Sequence, residues 1–279
     1  MQIVWCLGGL GNQMFQYAFY RNLELMGKDA YLDIGEYRDY ELHNGFELQK
    51  IFSIAPKIIS TSDVASFRQN KFFKILDRLK LFRRVISQSE FNFERKYFDY
   101  YFSRYLIGYW QSEAYFSEIN AQIREDFTFP VLDAENQLIA DKIEATNAVS
   151  LHVRMGDYVN HPLHGGICTL EFYRKAINII SCEVSNPQFF VFSNDINWCQ
   201  SNLQLDNAIY VIGNSGANSF KDMHLMSLCK HNIIANSSFS WWGAWLNNNS
   251  DKIVVAPAKW FNDSQINTSD LLPATWMKI

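Results

Sequence analysis

The chain is 279 residues long, 48% hydrophobic and 16% aromatic, enough for one large domain or two modest ones and too apolar for a disordered chain. Its formal net charge of −4 excludes the global basic field that nucleic-acid binders use, so an anionic ligand must be held by a few local groups. Cys6, Cys168, Cys182, Cys199 and Cys229 are odd in number and form no C-x-x-C pair, which reads as free thiols in a reducing compartment.

At the N-terminus, "MQIVWCLGGLGNQMFQYA" lacks a basic n-region and reads as a buried strand and a turn rather than a signal peptide. No apolar run reaches the roughly 18 residues of a membrane span, so the default expectation is a soluble cytoplasmic protein. A strand at 2–7, a glycine turn, a helix over 13–26 and a strand at 30–34 make one βαβ unit. The turn "GGLGNQ" (8–13) would let backbone N–H groups near Gly11 and Asn12 approach an anion at the helix start; close packing of strand on helix explains its glycines equally well. The fingerprint G-x-G-x-x-G fails, because Met14 stands at the third glycine position counted from Gly9. Asp33 ends the next strand, where dinucleotide folds place a ribose-binding acid.

Further along, "RQNKFFKILDRLKLFRR" (68–84) carries seven basic residues and one acidic residue. Its apolar residues follow helical spacing, which predicts a surface helix packed on the core. A second reading is an interfacial helix making peripheral contact with anionic lipid at the inner face of the membrane. The region 91–110 is rich in aromatics without a clear period. The polar helical segment 130–147 marks a boundary, giving domains at 1–147 and 148–279.

The second domain alternates strands and helices: strands at 148–153, 188–192, 208–212, 232–235 and 252–256, with helices near 169–184, 195–204, 217–230 and 239–248. Continuous apolar strands with short connections predict a parallel, doubly wound α/β sheet buried on both faces. Ligands of such sheets collect at the C-terminal strand ends. Arg154 ends the first strand, and its fork suits phosphate oxygens; an ion pair with Asp157 is the alternative. Asp195, in "FSND", is either a helix cap or a contact for a ligand hydroxyl. Ser237 and Ser238 open the helix after the fourth strand, as an anion cradle or a simple cap. Phe239, Trp241, Trp242 and Trp245 follow, able to line a sugar or base site or to fill the core. His152, His161 and His164 lack zinc-ligand spacing, and no Asp-x-Asp occurs, so no metal is expected. Three strand ends offering Arg154, Asp195 and Ser237/Ser238 to one crevice suit a nucleotide diphosphate.

Taken as a set, "GGLGNQMFQYA" (8–18), "HVRMGDY" (152–158), "FSND" (192–195) and "NSSFSWWGAWL" (236–246) resemble the bacterial α-1,2-fucosyltransferases of glycosyltransferase family 11. The resemblance implies a GT-B-like architecture, with two Rossmann-like domains facing a central cleft. It implies GDP-fucose as donor, held by the second domain, and inverting, metal-independent transfer without a cofactor. The acceptor would be a galactose-terminated oligosaccharide or lipid-linked glycan on the side of the first domain. By the same resemblance Arg154 meets the β-phosphate, while His152 and Asp222 lie at the guanine. Many relatives have H-x-R-R-G-D-Y, where this chain has Met155 at the second arginine. Asp157 is then the candidate base, with Gly11 and Asn12 closing the site. Two other classes remain: a nicotinamide-dependent oxidoreductase, suggested by the first βαβ unit and Asp33, and a non-catalytic glycan-binding protein, suggested by the aromatics.

Overall fold

The computed structural model describes residues 1–40, 42–69, 76, 78–79, 82–155 and 161–279. The chain divides into two compact units, Met1–Thr128 with Asn267–Leu271, and Phe129–Ile266 with Leu272–Ile279.

The first unit is built on a four-stranded, all-parallel sheet ordered β2-β1-β4-β3, comprising β1 (Gln2–Trp5), β2 (Ala30–Asp33), β3 (Val85–Ser87) and β4 (Arg104–Ile107). Helix α1 (Leu10–Leu25) connects β1 to β2 and buries Met14, Phe15, Ala18, Phe19 and Leu23. Gln13, Gln16 and Asn22 are buried as well, so most of the helix circumference lies in the core. The partners of its buried face come from the aromatic-rich region. Phe19 stacks on Trp110 with centroids 4.2 Å apart, and Tyr115 meets both rings edge-on. The aromatics of 91–116 thus complete the first core. Short helices α2 (Leu48–Ile51), α3 (Thr61–Gln69) and α4 (Asn120–Asp126) pack around this sheet. Of the basic segment 68–84, residues 70–75, 77, 80 and 81 lie outside the described residues, and with them the expected amphipathic helix.

The second unit carries a six-stranded parallel sheet ordered β10-β9-β8-β5-β6-β7. Its strands are β5 (Asn147–Val153), β6 (Pro187–Ser193), β7 (Ala208–Tyr210), β8 (His231–Ile233), β9 (Val254–Ala256) and β10 (Met277–Lys278). Helices α5 (Ala134–Glu144), α6 (Leu170–Glu183), α7 (Ile196–Asn202), α8 (Phe220–Leu228) and α9 (Ser238–Leu246) complete it. Alternation along β5 sends Val149, Leu151 and Val153 into one core layer with α6. Ala148 faces the other, with Phe190, Phe192, Leu225 and Met226. The sheet is therefore covered on both faces, as its unbroken apolar strands predict. The division into compact units falls at Thr128, ahead of α5, which places Ala140 and Ile143 in the second core with Ala148 and Leu225. Asn267–Leu271 returns to the first unit, where Asn267 bonds the backbone of Phe91 and Asp270 accepts from Phe93 N–H.

Candidate active site

In a parallel sheet the chain leaves a crevice where consecutive connections depart in opposite directions. In the second unit β5 is followed by β6 and β7 on one side, while β8 and β9 are laid down on the other. The switch point therefore lies between β5 and β8. The adjacent strands β8, β5 and β6 end at Ile233, Val153 and Ser193. Beyond these ends stand Arg154, Asn194 and Asp195, and, four residues past β8, Ser237 and Ser238, so the three segments follow neighbouring strands.

His152 is buried at 6% exposure, with its ring 5.9 Å from that of Phe239. Burial, reinforced by the positive charge of Arg154, lowers its pKa to about 3, so the imidazole is neutral at physiological pH. Its Nδ1 has no partner among the described residues. Arg154 itself leaves β5 half-buried. The backbone one residue later is gripped by Asn194: Met155 N–H donates to Asn194 Oδ1 at 2.8 Å, and Asn194 Nδ2 donates to the Met155 carbonyl at 3.1 Å. Asn194 sits inside the quoted "FSND", but sequence reasoning settled on its charged neighbour. Asp195 is turned into α7, where Oδ1 accepts the Trp198 N–H at 2.9 Å.

The start of α9 is less conventional. Ser237 occupies the cap position, yet its side chain accepts no helix N–H. Ser237 is buried, and Ser238 and Phe239 are half-buried. Such a start keeps first-turn N–H groups available for an anion. Trp241, Trp242 and Trp245 are at most 4% exposed and pack on one another, so these three fill the core and do not line a ligand site. Preceding them, Asn236 donates to the carbonyls of His164 and Trp260. The histidine loop is held by these bonds and by Asn262, which donates to the Pro162 and Gly165 carbonyls. His161 accepts the Leu163 N–H, and the His164 ring meets Phe261 at 5.2 Å. Among the described residues no three His, Cys, Asp or Glu side chains converge as metal ligands.

Asp222 lies on α8, whose N-terminal end follows β7. Its Oδ1 accepts from Asn214 Nδ2 at 2.8 Å, and Asn214 exchanges two hydrogen bonds with Asn136. Burial raises the carboxyl to about 7, against the opposing pull of the Asn214 hydrogen bond. Neither Asn214 nor Asn136 is charged or part of a motif, and sequence reasoning passed over both.

In the first unit the corresponding switch lies between β1 and β4. Gly11 is buried in the first turn of α1, and Asn12 Oδ1 accepts from Gln111 Nε2, beyond β4, at 2.8 Å. Gly8 is left-handed at φ +108°, and a Cβ there would come within 2.8 Å of Asn12 Nδ2. Gly8 is thus required by its left-handed backbone. Asp33 does not match the expected ribose-binding acid. Tyr105 donates to its Oδ2 at 2.6 Å and Gly35 N–H to its Oδ1 at 2.9 Å, so the buried carboxylate ties β2 to β4. Asp157 lies outside the described residues.

Comparison with known proteins narrows the chemistry. Residues 2–279 match glycosyl transferase family 11. An α-1,2-colitosyltransferase of Escherichia coli is 37% identical, covering 98% of this chain and 96% of that protein. The O-antigen biosynthesis glycosyltransferase WbnK of Escherichia coli is 32% identical, over 98% of this chain and 99% of that protein. Galactoside α-(1,2)-fucosyltransferase 2 of Bos taurus is 29% identical over half of this chain and 44% of its own length. Among solved structures, the fold resembles that of the fucosyltransferase NodZ from Bradyrhizobium, with TM-score 0.50, 15% identity and coverage of 87% of this chain and 91% of that one. It also resembles a variant of Arabidopsis thaliana FUT1 in complex with GDP, with TM-score 0.53, 11% identity and coverage of 98% and 75%. The chain belongs to glycosyl transferase family 11, a glycosyltransferase of GT-B type built from two parallel-sheet, Rossmann-like units.

Proposed function

We propose that the chain transfers L-fucose from GDP-fucose to the 2-hydroxyl of a terminal galactoside in a glycan, with inversion and without a metal. The observation that carries this reading is the placement of Arg154 and an uncapped helix start, Ser237/Ser238, beyond neighbouring strands at the sheet switch point. A diphosphate leaving group needs fixed positive and N–H groups where its charge grows. The second unit is assigned the donor and the first the acceptor.

In the proposed step the acceptor oxygen bonds to the anomeric carbon as its bond to the β-phosphate oxygen breaks, through an oxocarbenium-like transition state. GDP departs with the bonding electron pair, and Arg154 and the α9 N–H groups meet the charge. The hydroxyl proton passes to a base, for which Asp157 is the candidate. His152, neutral and packed beside Phe239, suits a contact to the base of the nucleotide rather than to its phosphates. Asp222 suits a pair of N–H donors such as guanine presents. Asp195, committed to its helix cap, is assigned at most a supporting contact.

A second reading, transfer of colitose in place of fucose, is favoured by the 37% identity to the colitosyltransferase across nearly the whole chain. Incubation with GDP-fucose and a panel of galactosides in EDTA, followed by linkage analysis, tests the first reading. An α-1,2-linked product is expected. Absence of transfer and of donor hydrolysis, with turnover of a nucleotide-activated colitose instead, would overturn fucose as the transferred sugar. Turnover restored only by added divalent cation would overturn metal independence.

A further inference from the structure

We propose that Asn194 is a positioning residue for Arg154, acting through the backbone of Met155; the inference rests on the reading that Arg154 meets the donor diphosphate. The parallel ladder between β5 and β6 ends with Val153 opposite Ser193. Arg154 is the next residue, one position beyond the last ladder pair. Asn194 continues the pairing with its side chain. Its amide accepts the Met155 N–H at 2.8 Å and donates to the Met155 carbonyl at 3.1 Å. Arg154 is thereby held between a ladder pair on one side and a two-point clamp on the other.

The residue type matters because a primary amide offers a donor and an acceptor in one plane. Aspartate would still accept the Met155 N–H but would set its second oxygen against the Met155 carbonyl, and glutamine would be one methylene too long. The flanking residues fix where Asn194 sits: Asp195 N–H donates to Ser193 Oγ at 2.9 Å, and Asp195 caps α7. Asn194 is also solvent-exposed. Its loss would hand the Met155 groups to water rather than bury them unpaired, so folding stability should change little. What the clamp supplies is a narrower set of backbone conformations at the arginine, and preorganised charge binds more tightly than charge that must be ordered on binding.

The test is a double-mutant cycle read by calorimetric binding of GDP and of guanosine. In the full-length protein, Asn194→Ala should weaken GDP binding roughly fivefold or more, the scale of two modest hydrogen bonds. Guanosine, which has no phosphate, should bind with unchanged affinity, and the thermal midpoint should stay within a few degrees. In an Arg154→Ala background the same change should have almost no effect on GDP. If Asn194→Ala does not fold, Asn194→Ser serves in its place. An equal loss in both backgrounds, or an equal loss for guanosine, would overturn the positioning role in favour of a purely structural one. Failure of the parent reading looks different: Arg154→Ala would then bind GDP as well as the wild type.

Discussion

Asn214 donates its side-chain amide to Asp222 at 2.8 Å, and burial nonetheless holds that carboxyl up to about 7. A carboxyl so placed ionises as pH rises through about 7, and only the ionised form offers both oxygens as acceptors. If Asp222 reads guanine, guanosine affinity should rise as pH rises through about 7 and then level off. His152 and His224, lowered to about 3 and 4, do not titrate there. Calorimetric titration between pH 5.5 and 8 checks this, and Asp222→Asn should bind weakly with no pH dependence. An unchanged slope in Asp222→Asn would remove the role.

Arg154→Ala should lower kcat by about two to three powers of ten, the usual cost of deleting a principal charge-stabilising donor. The side chain is half-buried at a strand end rather than in a core layer, so the thermal midpoint should hold. Steady-state assays with calorimetric melting separate the two effects. Activity within threefold of wild type would contradict the assignment.

His152 and His224 are both lowered by burial, and His224 stacks on Phe129 at 4.7 Å. Their folded values lie below the unfolded one, so the stability they contribute is complete above about pH 6.5 and is lost as pH falls through the window toward 4. The ceiling is about 1.4 kcal/mol per pH unit for each imidazole. Asp222 works in the opposite direction over this window, because its folded value is raised. Urea midpoints at pH 6.5, 5.5 and 4.5 should therefore fall more gently in His224→Phe, which keeps the stack, and more steeply in Asp222→Asn. Parallel midpoint curves for all three proteins would contradict the linkage.

Gly243 lies in α9 where it crosses α8, and an added Cβ would stand 2.9 Å from Met226 Cβ. Alanine is the better helix former by roughly 1 kcal/mol, but the clash is with a stem atom that cannot swing aside. Gly243→Ala should therefore destabilise by about 1–3 kcal/mol and displace the helix whose start carries Ser237 and Ser238. Denaturant unfolding reads the first effect and GDP affinity the second. A variant as stable as wild type would show that α9 has room to shift.

The second unit was legible because each strand–helix alternation announces itself locally. Apolar runs such as "QFFVF" belong to strands buried on both faces, and connections this short leave only crossover topologies. The first unit was less so. Its strands β3 and β4 have three and four residues, too short for a period, and lie among aromatics whose spacing reflects a ring cluster around Phe19 and Trp110. Helix α5 reads as a polar boundary segment because its apolar residues are few; Ala140 and Ile143 join the core beside Ala148 of β5.

By itself the sequence determined the class of architecture, the family, and which strand ends could present Arg154, Asp195 and Ser237 to a ligand, since these follow from local periodicity and from residue chemistry. The tertiary structure alone decided what each side chain is committed to. It turned Asp195 into a helix cap and Asp33 into a tie between strands, sent the three tryptophans into the core, and set the Asn194 amide on the backbone beside Arg154. The reason is physical: a carboxylate or an amide has a fixed number of hydrogen bonds to give, and only the neighbours brought in by folding determine where they go.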